Sequence, residues 1–510
     1  MPVQRFAEKP GARGLMAAAG QVLHGARHTG TRLATIVMFG RLLTLFSLTM
    51  LPPLFVGLYY GDGATTPFLY TFLLTLSVGV MCWLPYRHTN LDLRKRQGFL
   101  VVVGYWISAS LLSAIPLMLA EHPHMPLTDA VFEATSGLTT TGATVLSNLE
   151  ELPHSILYYR AQLQFLGGMG IVVLAVAVLP LLGIGGMQLY QAETPGPMKD
   201  EKLTPRIRET AKRLWYVYSG LTIACGLFYW QAGMNVFDAV AHAFATMSLG
   251  GFSTHTDSIG YFQSAPIEIV GGVFSLVAGV NYALYFLALR QTSLRPLLRN
   301  AEFQLYGTVT TLIIVATIAM LWLSGTFKPG EAGYHGFFQA ASIITDNGLT
   351  AGGYPGWPAA IPLLLVFGSF FGACVGSTCG GIKAFRFLLL FRQSVRELHY
   401  LVHPSAMIAV KVEGRPVSER VMEAVWGFYF LYVFAYCALS LGVAISGVDL
   451  VTAFGSVAAA INNMGVGLGE TASNFGGLND AAKWMLWVAM LLGRLEVLPL
   501  LLLFSRDLWR

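Results

Sequence analysis

Charge is scarce in this chain. Only 12% of its 510 residues are Asp, Glu, Lys or Arg, while 55% are hydrophobic. A water-soluble chain carries about 25% charged residues. Half that amount cannot cover a 55.3 kDa globule, which argues against a cytosolic enzyme, a disordered protein or a nucleic-acid binder. Cysteine is scarce too. Cys82, Cys225, Cys374, Cys379 and Cys437 all lie in or beside apolar stretches, so a secreted disulfide framework is not expected. No Asn-x-Ser/Thr sequon occurs. The first apolar run begins near Ala34, after a polar basic arm, and lacks a small-residue cleavage site, so no signal peptide is expected. His-Glu-x-x-His is absent and ionisable residues are rare within the apolar runs, which leaves an intramembrane hydrolase without its chemistry. What the chain has in quantity is glycine, 55 residues of it, and long apolar runs. The class is a polytopic, all-α membrane protein.

Ten apolar segments are long enough to cross about 30 Å of hydrocarbon. They cover approximately 35–60, 67–86, 98–120, 157–184, 214–232, 265–290, 303–325, 359–395, 422–447 and 482–505. With the N-terminus in the cytoplasm, the inner segments hold 27 Lys/Arg against 12 acids and the outer segments 3 against 14. The positive-inside tendency favours this orientation, with both termini cytoplasmic. An acidic outer face concentrates cations at any pore mouth.

After the first two spans one unit recurs four times: a span, a short segment unable to span, a Gly-containing turn and a second span. The turns are TSGLTTTGATV (135–145), TMSLGGFSTH (246–255), SIITDNGLTA (342–351) and INNMGVGLGE (461–470). Aligned on one glycine, they place Gly142, Gly251, Gly348 and Gly465 in the same slot, and all four fall on the outer side. The segments before them (Asp129–Ser136, Asp238–Thr246, Tyr334–Ile344, Val451–Ile461) are expected to be short helices that enter the membrane and stop. Irregular backbone at that depth is tolerated where protein or water covers it. Four turns around one axis can turn their carbonyls inward and replace the water shell of a cation. The helix C-termini add partial negative charge there. Any one of these glycines alone reads more readily as a packing glycine; four in register favour the carbonyl-lined turn.

The chain resembles the Trk/Ktr/HKT superfamily of potassium uptake proteins, most closely its bacterial Trk membrane subunit. The resemblance is carried by DAVFEATSGLTTTGATV (129–145), QFLGGMGIVVLAVAVLPLLGIGGMQLYQAETPGP (164–197), LTPRIRETAKRLW (203–215), SLGGFSTH (248–255), GSTCGGIK (376–383), INNMGVGLGE (461–470) and LLGRLEVLPLLLLF (491–504), and runs from about residue 34 to the C-terminus. It implies a pseudo-fourfold pore preceded by a two-helix unit. The divisions are a cytosolic arm at 1–33, the two-span unit at 34–96 and repeats at 97–190, 191–300, 301–400 and 401–510. It also implies a homodimer in the bacterial inner membrane and a cytosolic nucleotide-binding regulatory ring. No cofactor is expected on this chain: the nucleotide sits on the partner, and potassium is the substrate.

Carried onto this sequence, the family filter falls on Thr140, Thr141 and Gly142, Leu249, Gly250 and Gly251, Asp346, Asn347 and Gly348, and Asn463, Met464 and Gly465. Family members with Ser in the first glycine slot tend toward sodium, so Gly142 and its three counterparts imply potassium. A sodium-selective or nonselective pathway of the same fold is the alternative. Asp346 either attracts cations or caps its turn.

The run GACVGSTCGGIK (372–383) interrupts the span at 359–395. It does not fit G-x-x-x-x-G-K-[ST], so it is not read as a phosphate loop. Small-residue helix packing is one reading. The family reading is a gating loop at 372–382, with Gly376, Ser377, Thr378, Gly380 and Gly381 as gate residues. Cys374 and Cys379 lack further ligands for a metal and are read as packing residues. Arg494 is costly inside a span. It either pairs structurally or, as the family implies, projects into the ion path as a barrier. Glu496 lies roughly 200° around the helix from Arg494, so the two are not expected to form a same-face pair.

Arg41 and Arg160 are expected to snorkel. Glu133, matched by His242 in the second repeat, is expected to bond a neighbouring short helix. Asn281 either lines the cavity or bonds across helices. Residues 408–418 alternate like a small hairpin around Glu413–Gly414. With 186–213 and 396–420 they are expected to offer a docking surface to the ring, although plain solvated loops fit the same composition.

Overall fold

The computed structural model describes residues 33–87, 95–177, 203–406, 408–497 and 500. The basic arm, most of the segment 186–213 and the last residues of the final apolar stretch lie outside the described residues. Helices dominate. The first two are α1 (Leu33–Tyr60) and α2 (Thr65–Trp83). Trp83 Nε1 donates to Thr44 Oγ1 at 3.1 Å and ties the pair together.

The rest of the chain repeats one pattern. First come α3 (Lys95–Leu119), the short α4 (Leu127–Leu138) and α5 (His154–Ala177). Next are α6 (Leu203–Gln231), the short α7 (Val236–Ser248), α8 (Ala265–Ala278) and α9 (Tyr282–Gln291). Then α10 (Ala301–Leu323), the short α11 (Pro329–Ile344), α12 (Ala360–Phe371) and α13 (Ala384–Val402). Last are α14 (Glu419–Ile445), the short α15 (Leu450–Ile461) and α16 (Asp480–Arg494). Between α13 and α14, Lys411–Val412 pairs antiparallel with Arg415–Pro416, forming the small hairpin expected there.

Side-chain caps start the polar ends. Asn235 accepts from Asp238 N ahead of α7, Asp449 from Thr452 N ahead of α15, and Asn479 from Ala482 N ahead of α16. The short helices have 12, 13, 16 and 12 residues. At 1.5 Å per residue none spans a bilayer. The fourth is buried largely through small residues: Ala453, Gly455, Ser456, Ala458, Ala459 and Ala460 let neighbouring helices approach α15 closely.

Against the ten apolar segments of the sequence, five described helices are long and apolar enough to cross a membrane, or six if the bent pair α8–α9 is one span. That pair corrects one expectation. Residues 265–290 read as a single span, yet α8 and α9 meet at 89°. Hydropathy does not register the break, because Gly279 and Val280 are as apolar as helix. Asn281 makes it, its side chain accepting from Ala283 N at 2.8 Å to start α9.

The packing order closes on itself. α4 packs against α3 and α5 of its own unit and against α16; α7 packs against α6, α8 and α5; α11 against α10, α12 and α8; α15 against α14, α16 and α12. Each short helix is thus held by the helices before and after it in its own unit and by the helix that follows the short helix of the unit before, and α16 returns the chain to α4.

Candidate ion-conduction site

The four short helices end in the same way. One residue is left-handed (Thr140 φ 53°, Leu249 54°, Asp346 59°, Asn463 54°), and the glycine two positions on has a φ of 78–83°. Between them, the N–H of Thr141, Gly250, Asn347 or Met464 donates to the carbonyl five residues back, at 2.8 Å in all four. This is the Schellman closure of a helix C-terminus. It commits the N–H groups to the helix and leaves the following carbonyls for other partners. Left-handed φ is costly for Thr and Leu, and the doubled backbone bonds hold it.

The turns then meet. A Cβ on Gly142 would overlap the carbonyl of Gly250, one on Gly251 that of Asn347, one on Gly348 that of Met464, and one on Gly465 that of Thr141. The four contacts form a closed cycle in which each glycine abuts the residue before the next glycine. A side chain at any of the four would meet backbone, in a conformation L-residues disfavour. Thr139, Thr140, Thr141, Asp346, Asn347, Asn462 and Asn463 are all buried.

A second layer fixes the cycle. Gln164 of α5 donates from Nε2 to the Gly250 carbonyl and accepts from Phe252 N. Asn347 Nδ2 donates to Ser275 Oγ at 2.7 Å, and Asn462 Nδ2 to Ser369 Oγ at 2.7 Å. Asn463 Nδ2 donates to Thr141 Oγ1 at 2.9 Å and to the Met490 carbonyl at 3.0 Å, joining the fourth turn to the first. The sequence marked the turns but assigned no role to Gln164, Ser275 or Ser369. A polar side chain within an apolar run was the available signal.

Residues 372–383 cross beneath the cycle as an irregular loop between α12 and α13. Thr378 Oγ1 donates to the Met247 carbonyl at the end of α7, at 3.1 Å. Gly380 abuts the Asn462 carbonyl at the end of α15. Cys379 Sγ donates to Asp346 Oδ2 at 3.1 Å. Ser377 Oγ closes onto the Cys374 carbonyl at 2.6 Å. The loop also bonds to the break in the second unit: Cys374 N donates to the Gly279 carbonyl at 3.0 Å, Tyr282 N to the Gly376 carbonyl at 3.2 Å, and Gly376 packs on Asn281. The two interrupted spans are therefore bonded to each other. The open question over Asn281 resolves into a helix cap beneath this loop.

Arg494, 1% exposed, reaches under the cycle. Its guanidinium donates to the Thr378 carbonyl at 3.1 Å and to the Gly167 carbonyl at 2.7 Å. Among the described residues no carboxylate lies within ion-pair distance of it. Glu496 instead takes Arg386 and, at 3.8 Å, Lys383 at the start of α13.

Three expectations change. Arg160 does not snorkel; it is 1% exposed and ion-paired with Glu133 at 2.9 Å. Glu133 does not bond a neighbouring short helix; besides Arg160 it holds Thr144 and Val145 of its own turn. Asp346 does not cap its turn, since the turn is closed by backbone and the carboxylate faces Cys379. Arg41 is exposed, with its guanidinium near the Trp83 ring. Among the described residues no cluster of three or more His, Cys, Asp or Glu could hold a metal ion.

Known proteins share this organisation. The family model described as a cation transport protein, TrkH, matches residues 65–509. The Trk system potassium uptake protein TrkG of Escherichia coli K12 is 47% identical over 473 residues, covering 93% of this chain and 98% of that protein. TrkH of Vibrio parahaemolyticus is 48% identical, covering 93% and 99%. The crystal structure of the potassium transporter TrkH from Vibrio parahaemolyticus superposes with a TM-score of 0.87 at 45% identity, covering 94% of this chain and 99% of that one. These matches and the apolar helices make the chain a membrane protein of that fold, and it belongs to the TrkH family of cation transport proteins.

Proposed function

We propose that this chain carries potassium into the cell through the axis of the four glycine turns. The observation that carries the reading is the closed cycle Gly142–Gly250, Gly251–Asn347, Gly348–Met464 and Gly465–Thr141. It draws together carbonyls whose neighbouring N–H groups are already spent on the helices. The relatives named as Trk potassium uptake proteins support the choice of ion.

In this reading a potassium ion sheds water at the outer mouth and is held by the carbonyls of Thr140, Thr141, Gly142, Leu249, Gly250, Gly251, Asp346, Asn347, Gly348, Asn463, Met464 and Gly465. The C-termini of α4, α7, α11 and α15 lower its energy there. Below, Arg494 and the loop bearing Gly376, Ser377, Thr378, Gly380 and Gly381 close the path. The guanidinium, without a carboxylate partner among the described residues, repels a cation until the loop moves. Membrane potential supplies about 2.3 kcal/mol per charge per 100 mV for entry.

The basic segments face the cytoplasm of a bacterial inner membrane, with both termini inside. A second copy of the chain and a cytosolic nucleotide-binding ring complete the assembly. The ring docks near the hairpin, where Glu413 Oε1 accepts from Ala301 N at 2.9 Å and couples the hairpin to the start of α10.

The test is rubidium uptake into proteoliposomes with potassium and sodium as competitors. Potassium competes and sodium does not. Equal competition by sodium refutes the potassium reading, and absence of flux even with the ring and nucleotide refutes transport.

A further inference from the structure

We propose that the buried ion pair Arg160–Glu133 is a positioning device for ion choice, holding the outer ends of the first and second turns in register. The proposal rests on the transport reading above.

Nine residues before each ring glycine, one slot on the short helix lies behind the strand that follows the turn. It holds Glu133, His242, Gln339 and Ser456. In the first and third units the slot side chain accepts from the N–H three residues past the glycine: Val145 N to Glu133 at 2.9 Å and Ala351 N to Gln339 at 2.8 Å. In the second, His242 meets Ser253 Oγ at 2.9 Å. In the fourth, Ser456 turns back to the Ala453 carbonyl. The slot therefore supports the strand, and a neutral Gln is enough for that. A charge occurs in one unit only.

That charge serves Arg160. Its Nε donates to Glu133 at 2.9 Å, one terminal nitrogen to Thr144 Oγ1 at 3.1 Å and the other to the Ser253 carbonyl at 3.0 Å. The Phe252 ring lies 4.1 Å from the guanidinium carbon. One planar fork thus spans the strand after Gly142 and the strand after Gly251. Gln164, one helical turn further along α5, holds the Gly250 carbonyl and Phe252 N from the same face. A lysine has the charge without the fork. Glu133 also cancels a cation that would otherwise stand unpaired directly behind a cation path, in a setting where charge is poorly screened.

Two effects separate. Glu133→Gln keeps the strand bond, as Gln339 does, but leaves Arg160 unpaired, so the apparent KM for rubidium rises. The double variant Glu133→Gln/Arg160→Met removes that charge and lowers KM again, but the two strands are no longer joined. Its discrimination of potassium over sodium falls about tenfold, equivalent to about 1.4 kcal/mol of differential binding.

The experiment is rubidium uptake by the full chain in proteoliposomes with both competitors. It covers wild type, Glu133→Gln, the double variant and Arg160→Lys, the mildest change and one that retains the charge for folding. Discrimination lost in the double variant and weakened in Arg160→Lys, with the KM rising and then falling as stated, is the expected result. Discrimination equal to wild type in every variant that carries flux overturns the proposal. If only Arg160→Lys is recovered folded, unchanged discrimination in it does the same. A wild type that never discriminates refutes the potassium reading itself, which is distinguishable because no variant is needed to see it.

Discussion

Cys379 donates its thiol hydrogen to Asp346 at 3.1 Å, so the loop under the four turns is bonded to the left-handed residue that opens the third of them. In the first and fourth units the equivalent side chains, Thr140 and Asn463, pack over Gly167 of α5 and Gly493 of α16. In the third that span is interrupted, and Asp346 packs over Gly381 of the loop. Asp346 therefore joins its turn to the loop, where Thr140 and Asn463 join theirs to a helix.

Cys379→Ala removes this latch without touching the turn. A buried hydrogen bond contributes about 0.5–1.5 kcal/mol net, so unstimulated rubidium flux rises by up to about tenfold. Asp346→Asn weakens the same bond and raises flux less. Flux in Cys379→Ala at the wild-type level removes the latch from the gating account.

Gly142→Ser places a side chain against the Gly250 carbonyl at a φ of 83°. That carbonyl is fixed from behind by Gln164, so it cannot retreat without breaking a buried hydrogen bond. Competition by sodium against rubidium strengthens about tenfold or more, on the scale of about 1.4 kcal/mol per decade, while the folded yield falls less. Undiminished potassium preference in this variant counts against the glycine cycle as the selective element.

The sequence carried the parts of the site that repeat. Four glycines in register, with short apolar segments before them, mark the turns because left-handed backbone leaves a compositional trace. The loop at 372–383 was legible for the same reason. What stayed hidden depends on partners far apart in the chain. The α8–α9 bend needs only Asn281 as a cap, and the residues around it are as apolar as any span. Arg160 near the end of an apolar run looks like a snorkelling residue until Glu133 and the Ser253 carbonyl are placed beside it. Which carbonyls Arg494 bridges, and which cations Glu496 receives, follow from the packing of α13 and α16, and no local pattern encodes that.

Glu150 ties together the loops that follow the first two turns. Thr256 N donates to it at 2.9 Å and Thr256 Oγ1 at 2.7 Å, with His255 alongside. Partial burial raises its carboxyl pKa, but the Thr256 bonds and the nearby imidazole outweigh that and hold it below the ordinary value. A depressed folded pKa gives stability that is present above the unfolded value, near about 4.3, and is lost as pH falls through the folded one. Glu150→Gln thus melts slightly below wild type at pH 7, by a small amount because the group is well solvated, and the gap closes as the pH is lowered through the acid range. Thermal melts of both proteins across that range check the sign. A gap that widens on acidification contradicts it.

Arg494 gives the sharpest expectation, because it does two things at once. It is a buried cation beside the four turns, and it bridges the loop at the Thr378 carbonyl to α5 at the Gly167 carbonyl. Arg494→Gln removes the charge and shortens the bridge, so both barriers fall and rubidium flux rises. Arg494→Lys keeps the charge but not the two-pronged contact, so only the mechanical barrier falls and flux rises less. The order Gln above Lys above wild type, measured at one voltage in proteoliposomes, identifies repulsion as a component of the barrier. If Lys matches Gln, the bridge alone closes the path. If Gln matches wild type, Arg494 is a structural residue and the gate is the loop by itself.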